Sequence, residues 1–489
     1  MPAGDSLAVL GKISTWIEEI IEIPDFPLQH LLDVLDLLDQ FAKGHQLNLV
    51  PSYLDTPRMR KLSESQLWTT SFQFWQTIGS AYLYCLERFQ AGDEVTKGFR
   101  RNLPMIVCRA IRSLTLQLKW TLLRYGRVED RIWRDLGRAY LFAGSWNFAT
   151  RRSAIYPGSH GEATAQEELL KALMFFVSAP DALTPVQQHI AERIVAYFGP
   201  RFALHTTPGP GCIYTFDLSM HLPPIRARKG TVAAPLLRFF GPGTAFEGLH
   251  LMIEHMQEQG KLPPDTPLNG HFDVKDIKTV LDHLARCWSE FPAARRGKRR
   301  DVLTRLTVVP GLAETAQWMR QMIEAGTVEV TDPRVAESWV VIDASDAGYG
   351  AVVTAHPDDW VTVGALVGLR RETAATCHMG ILRRITSDAH GQHHVGLQLI
   401  GAVAIPVALF AAGTKVAADP LHAGEPAILI SRKPDQHGNI ELLLRPGSFM
   451  HNKTLQMRYR DRLLNIEFAK TIEQSQEYRW VSYRLMANR

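Results

Sequence analysis

The chain has 489 residues, of which 46% are hydrophobic and 21% are charged. This length predicts two to four domains, and the composition is that of a folded globular protein, which argues against a largely disordered chain. The net charge of +4, from 54 basic and 50 acidic residues, is too small by itself to indicate nucleic-acid binding. The five cysteines are scattered without CxxC spacing, which argues against a disulfide framework and a zinc site. We therefore expect a cytoplasmic protein.

The first two hundred residues have the apolar spacing of helices. The segment PLQHLLDVLDLLDQFAKG carries leucines along one face, and its last residue, Gly44, is predicted to end the helix. The segment TPVQQHIAERIVAYFG predicts a capping box with Thr184 as N-cap, Pro185 as the first helical residue and Gln187 closing the box. Five tryptophans are expected to pack between these helices: Trp68, Trp75, Trp120, Trp133 and Trp146. We expect residues 1–200 to form a helical domain.

Residues 201–290 have a mixed texture and predict an α/β connecting region. In RFALHTTPGPGCIYTFDLS, two apolar runs flank a Thr-Pro-Gly-Pro-Gly turn, which predicts a hairpin. A helical pattern returns from about Gly248 to Glu290 and is interrupted by KLPPDTPLNG.

From Leu303 onward, short apolar runs separated by turn residues predict strands. Six such runs within about a hundred residues predict a small six-stranded barrel or a sandwich over residues 291–410, with one helical insert, LAETAQWMRQMIEAG. Further runs predict a C-terminal β unit over residues 411–489, which a second, degenerate barrel would satisfy. The fold class is therefore α+β and multidomain.

One segment, Val395–Gly413, is nearly uncharged and about as long as a membrane span requires. Gln398, Gly401 and Pro406 interrupt it, and no basic or aromatic anchors flank it. We predict a buried strand, a turn at Pro406 and a second strand, and we expect no membrane span.

Several common catalytic and cofactor motifs are absent from the sequence. There is no GxxxxGK[ST] phosphate loop, no HExxH, no GxSxG elbow and no GxGxxG between a strand and a helix. The HGQHH run at residues 390–394 is predicted to be a polar hairpin tip, with a metal site as the alternative. We expect no catalytic residues, no metal and no cofactor.

The densest charge cluster lies just before the first predicted barrel strand, in ARRGKRRDVLTR. Its cations are Arg295, Arg296, Lys298, Arg299 and Arg300. Three interpretations stay open: a solvated linker, a contact to a nucleic-acid backbone, or a clamp for phosphate and guanine. The direct continuation into a strand favours the clamp, because arginine offers a rigid donor fork that fits both groups.

A second polar cluster interrupts the run VVIDASDAGYGAVV, residues 340–353. Asp343 can accept hydrogen bonds from a guanine edge, Ser345 can donate to a phosphate, and Gly348 allows close backbone approach or positive φ. The alternative is a turn that closes two strands, where Asp, Ser and Gly are common. Taken alone, the cluster favours the simple turn.

Together, the two clusters resemble the signatures of the PilZ domain, a small β-barrel that binds the bacterial second messenger cyclic di-GMP. The resemblance covers about residues 292–399. The RxxxR signature is met by Arg296 with Arg300 and equally by Arg295 with Arg299, and [D/N]xSxxG is met by Asp343, Ser345 and Gly348. The helical insert lengthens the interval between the two signatures, and Ala347 stands where a second glycine is frequent.

The resemblance implies a non-catalytic cyclic di-GMP effector in signal transduction. Its arginines would grip guanine faces and phosphates, Asp343 and Ser345 would hold a guanine edge and a phosphate, and the helical region would contact an unidentified protein partner. We expect no nucleic acid as partner. Two alternatives remain: a degenerate barrel that binds only protein, and a ribonuclease H-like nuclease in which Asp343 binds metal with later acids such as Glu372, Asp388 and Asp435.

Overall fold

The computed structural model of the chain describes residues 3–56, 61–158, 161–266, 268, 272–291, 299–325, 336–353, 360–372, 374, 376–401, 403–413, 424–431, 433–449, 453–459, 462–475 and 477–486. The chain divides into two compact units, residues 1–293 and 294–489, which we call the helical unit and the barrel unit.

The helical unit is built mainly from long amphipathic helices that share one core. Its helices are α1 (Ala3–Glu22), α2 (Leu28–Asp55), α3 (Lys61–Ala91), α4 (Lys97–Leu123), α5 (Asp130–Ser145), α6 (Ala165–Val177), α7 (Pro185–Phe198), α8 (Ala245–Gln259) and α9 (Val274–Trp288). The predicted leucine face of α2 is buried, with Leu28, Leu31, Leu32 and Leu35 at most 2% exposed. Burial of one apolar stripe per helix provides most of the stability of such a bundle.

Gly44 does not end α2, so that prediction was wrong. The helix continues to Asp55 because its apolar stripe continues through the buried Leu49 and Tyr53. Packing of those side chains outweighs the cost of a mid-helix glycine, which is about 1 kcal/mol. The predicted capping box at α7 is confirmed. Thr184 Oγ1 accepts from the backbone N–H of Gln187 at 3.3 Å, and Gln187 Oε1 accepts from the backbone N–H of Thr184 at 3.1 Å.

The tryptophans join helices as expected, although two of them reach the surface. Trp75, Trp120 and Trp133 are buried. The half-buried Trp68 donates its indole N–H to the Trp120 carbonyl, and Trp146, although 48% exposed, packs its ring 5.1 Å from that of Phe89 in α3.

The helical unit also holds short strands. They are β1 (Ser153–Ala154), β2 (Glu162–Ala163), β3 (Ala203–His205), β4 (Tyr214–Asp217), β5 (Ile225–Arg226) and β6 (Leu237–Gly241). The last four form one antiparallel sheet in the order β3-β6-β4-β5. The predicted hairpin between the runs at β3 and β4 was therefore wrong, because β6, with its buried Phe239 and Phe240, lies between them.

The barrel unit contains two closed six-stranded barrels, and this confirms the predicted helical region, barrel and further β unit. The first barrel has the order β10-β11-β12-β9-β8-β7 and the second β13-β14-β15-β18-β17-β16. The first comprises β7 (Arg300–Pro310), β8 (Glu337–Ser345), β9 (Gly348–Val353), β10 (Leu366–Arg371), β11 (His378–Ser387) and β12 (His393–Ile400). The second comprises β13 (Ile405–Ala411), β14 (Glu425–Leu429), β15 (Asn439–Leu444), β16 (Thr454–Tyr459), β17 (Arg462–Gln474) and β18 (Arg479–Leu485).

The predicted helical insert is α10 (Leu312–Ala325), between β7 and β8. Its buried Trp318 and Met319 share one apolar cluster with Ile381 of the first barrel and with Ile428 and Leu443 of the second. The barrels are further joined by an ion pair of 2.9 Å between Arg383 of β11 and Glu473 of β17.

The uncharged segment 395–413 forms strands β12 and β13 of two different barrels. The chain turns at Gly401, whose φ of +70° favours glycine, and not at Pro406, which lies inside β13. The second barrel thus begins at Ile405, before the domain boundary at residue 410 expected from the sequence. Within the described ranges, none of the helices combines the length and apolarity needed to cross a bilayer.

The capping box of α7 generates a stability prediction. Thr184→Ala removes the acceptor for the Gln187 amide and should lower the free energy of unfolding of the helical unit by about 1 kcal/mol, whereas Thr184→Ser should retain most of it. Calorimetric unfolding of the full chain measures both. Equal stability of the two variants would contradict the assignment of this cap.

Candidate functional site

The turn that joins β8 to β9 holds the second predicted signature. Ser345 pairs with Gly348, and Asp346 and Ala347 form the turn between them. Ser345 Oγ accepts a hydrogen bond of 3.3 Å from the Ala347 amide. The side chain of Ser345 therefore shapes this turn, as the simple-turn interpretation predicts.

Gly348 is required by close approach and not by backbone conformation. Its φ does not lie in the left-handed region, but a Cβ at this position would lie 1.9 Å from the Leu397 carbonyl oxygen. No side chain fits at that distance, so β9 can pair with β12 here only because residue 348 is glycine.

The arginine segment runs directly into β7, beside the strand that carries Asp343. Arg300 is paired with Ala344 and Asp301 with Asp343 in the antiparallel β7–β8 ladder. Arg299 Nη1 donates to Asp343 Oδ2 at 2.7 Å. Arg299 is 54% exposed and the Asp343 side chain 18% exposed, so the pair lies at the surface with its acidic end partly buried. Arg295 and Arg296 lie outside the described residues.

The carboxylate of Asp343 is only half satisfied. Its Oδ1 is buried and has no hydrogen-bond partner among the residues that the structure describes. A buried acceptor without a partner is costly, and such an atom is satisfied most directly by a donor from a ligand or an ordered water. Arg300 is exposed and adds positive charge beside Arg299. We call the surface formed by Arg299, Arg300, Asp343 and Ser345 the corner.

Two backbone features position this carboxylate. The ladders that β8 forms with β7 and with β9 both shift register at Ile342, between Val341 and Asp343. Such a bulge changes the direction of the side chains that follow it. A Cβ on Gly350 would lie 2.5 Å from Asp343 Oδ2, so the missing side chain of Gly350 leaves the space that the carboxylate fills. The sequence analysis missed Gly350, although a glycine inside a strand signals close approach.

Exposed apolar side chains surround the bulge. Val302 and Leu303 of β7 are 36% and 86% exposed, and Ile342 of β8 is 41% exposed. The corner therefore offers cations, one unpartnered acceptor and an adjoining apolar surface, which suits an anion with hydrogen-bond donors and a flat ring.

The histidine run is a hairpin tip between β11 and β12, as predicted. Asp388, for which the sequence analysis assigned no role here, organises it: its carboxylate accepts from the His390 and Gln392 amides and lies 3.1 Å from His394 Nε2. The hydrogen bond from His394 lowers the pKa of Asp388. In the part of the chain that the structure describes, no three His, Cys, Asp or Glu side chains converge as a metal site.

The nuclease alternative is wrong on the fold. A ribonuclease H-like centre needs helices that alternate with strands and several carboxylates that meet. Here the strand with Asp343 belongs to a closed barrel with antiparallel pairing throughout, and Asp435 lies beside the start of β15 in the other barrel.

A comparison with known families gives a match in the helical unit. Residues 1–209 match the family model for the N-terminal domain of the cyclic-di-GMP receptor FimW. The matched residues include neither the arginine segment nor the turn after β8, and they relate the helical region to a cyclic-di-GMP receptor family. No curated protein matches the chain. The resemblance of residues 292–399 to the PilZ domain stays a prediction.

The close approach at Gly348 generates a prediction. Gly348→Ala must separate β9 from β12 and should destabilise the first barrel by about 1–3 kcal/mol. Gly396→Ala is the matched control, because a Cβ there would meet only the Arg384 Cβ at an ordinary 3.4 Å. Chemical unfolding of the full chain measures both variants, and equal losses would refute the packing argument.

Proposed function

We propose that the chain is a cyclic di-GMP effector without catalytic activity of its own, whose ligand binds at the corner of Arg299, Arg300, Asp343 and Ser345. The observation that carries this proposal is the ion pair between Arg299 and Asp343. It brings the RxxxR signature and the [D/N]xSxxG signature together where β7 pairs with β8. The match of the helical region to a cyclic-di-GMP receptor family supports the same ligand.

The chemistry of the corner suits this ligand. Cyclic di-GMP carries two phosphates and two guanines. A guanidinium can bind a phosphate, or guanine O6 and N7, with two parallel hydrogen bonds, and its plane can stack on a purine. The unpartnered Asp343 Oδ1 can accept from a guanine N–H edge. Ser345 bonds only weakly to the Gly348 carbonyl, at 3.4 Å, so its hydroxyl can turn to donate to a phosphate.

A ligand at the corner competes with Asp343 for Arg299. An exposed ion pair of this kind contributes about 0–1 kcal/mol, so breaking it costs little. A ligand that offers Arg299 a phosphate with two parallel hydrogen bonds can therefore replace Asp343 as its partner. Its binding orders the arginine segment against the barrel and alters how the helical region is presented to a protein partner, an order–disorder switch that requires a difference in affinity between two states.

Two registers of the RxxxR signature fit the corner. The ion pair of Arg299 supports the register of Arg295 with Arg299, while Arg300, at the start of β7, supports that of Arg296 with Arg300. Single substitutions separate the two, since the arginines of the binding register should each weaken binding and the other two should not.

The second candidate function is a protein-interaction module that binds no nucleotide. The exposed Val302, Leu303 and Ile342 favour it, because an apolar patch on a barrel surface is typical of a protein contact. The second barrel, which lacks paired signatures, fits that role as well. If this candidate is correct, a variant that cannot bind cyclic di-GMP should still bind its protein partner. That result separates this candidate from the first.

Calorimetric titration of the full chain with cyclic di-GMP tests the proposal. We expect saturable binding, and we expect Asp343→Ala and the substitution in the binding register, Arg299→Ala or Arg300→Ala, each to weaken it by about 1–3 kcal/mol, because each removes charge-assisted contacts. Arg305→Ala is the matched control, since Arg305 is an exposed arginine of the same strand whose guanidinium bonds Ser338. The proposal would be refuted if the unmodified chain gave no saturable heat, or if the control variant lost as much affinity for cyclic di-GMP.

A further inference from the structure

The helical unit contains an open pocket that the cyclic di-GMP proposal does not use. Its volume is about 480 Å³, within the range typical of small-molecule sites. One wall is the loop before β4, with Pro208, Cys212 and Ile213. The other is the segment 226–231, which begins at the last residue of β5. Phe239 of β6 and Glu290, just beyond α9, complete the lining.

A fixed turn holds two cations at the rim of this pocket. The Thr231 amide donates to the Arg228 carbonyl at 3.0 Å, and Thr231 Oγ1 accepts from the Arg228 amide at 3.1 Å. Gly230 has a φ of +85°, which a side chain would strain. Arg228 and Lys229 are exposed, and neither side chain has an ion pair or hydrogen bond with the described residues.

A third cation, Arg226, is held rigidly in the wall. Its Nη2 donates to the Ser289 and Glu290 carbonyls at 2.5 and 2.9 Å, and its guanidinium lies 5.6 Å from the centre of the Tyr214 ring. The same guanidinium also interacts with the Tyr214 side chain. A guanidinium held in one position by several partners is a pre-organised cation for an anion that enters the pocket.

The lining combines charge with an apolar floor. Three cations and the single carboxylate of Glu290 give it a net charge of +2, while Pro208, Ile213 and Phe239 are apolar. We propose that this pocket binds a small organic phosphate, with the phosphate on Arg226, Arg228 and Lys229 and the apolar part against Ile213 and Phe239. A phosphate dianion matches the net charge, and guanidinium forks match its oxygens.

The simplest probe of this class is phenyl phosphate, whose binding to the full chain can be followed by phosphorus NMR for the phosphate compounds and by proton NMR for the aromatic ones. We expect saturable binding with a dissociation constant below about 1 mM. Inorganic phosphate and phenol, the two halves of the probe, should each bind at least about tenfold more weakly, because each uses one part of the pocket.

The double variant Arg228→Ala/Lys229→Ala should weaken phenyl phosphate binding at least about tenfold, since it removes two charge-assisted contacts. Arg100→Ala/Arg101→Ala removes equal charge from exposed positions of α4 and should leave it unchanged. Asp343→Ala should also leave it unchanged, which separates this site from the cyclic di-GMP corner. The proposal is overturned if the probe does not saturate, if inorganic phosphate binds equally well, or if the control variant loses as much affinity.

Discussion

The antiparallel pairing of β7 with β8 is the constraint on which the candidate site depends. It sets Asp301 opposite Asp343 and brings Arg299, the last residue before β7, to the carboxylate of a residue far along the chain. The register shift beside Ile342 and the missing side chain of Gly350 then place that carboxylate at the strand edge with one oxygen unpartnered. A slip of the ladder by one residue would reverse the faces of these side chains and abolish the corner.

The long interval between the two signatures has a structural use. Arg300 and Asp343 are 43 positions apart, and the 14 residues of α10 lie within this interval. It packs on β10, where Gly368 leaves room for Thr315, and it shares buried side chains with both barrels. The insert thus packs between the two barrels, and it does not interrupt the pairing of β7 with β8 that forms the corner.

Local signals in the sequence predicted much of the fold. The leucine face of α2, the capping box at Thr184, the insert α10 and the six strand-like runs of the first barrel each depend on near neighbours in the chain, and the structure has all of them. Features that depend on distant partners were not predictable. The insertion of β6 between β3 and β4 depends on burial of Phe239 and Phe240. Gly350 was a local signal that the sequence analysis missed, but the bulge that brings the Asp343 carboxylate beside it is visible only in the strand register. The ion pair of Arg299 with Asp343 needed the strand register, which the motif spacing does not contain.

A crystal structure of the full chain with cyclic di-GMP tests the central claim most directly. The account predicts a guanine edge within hydrogen-bond distance of Asp343 Oδ1 and a phosphate or guanine face on Arg299 or Arg300, with the ion pair between Arg299 and Asp343 opened or shared. Ligand bound elsewhere, for example in the second barrel or the helical unit, with that ion pair unchanged, would contradict it.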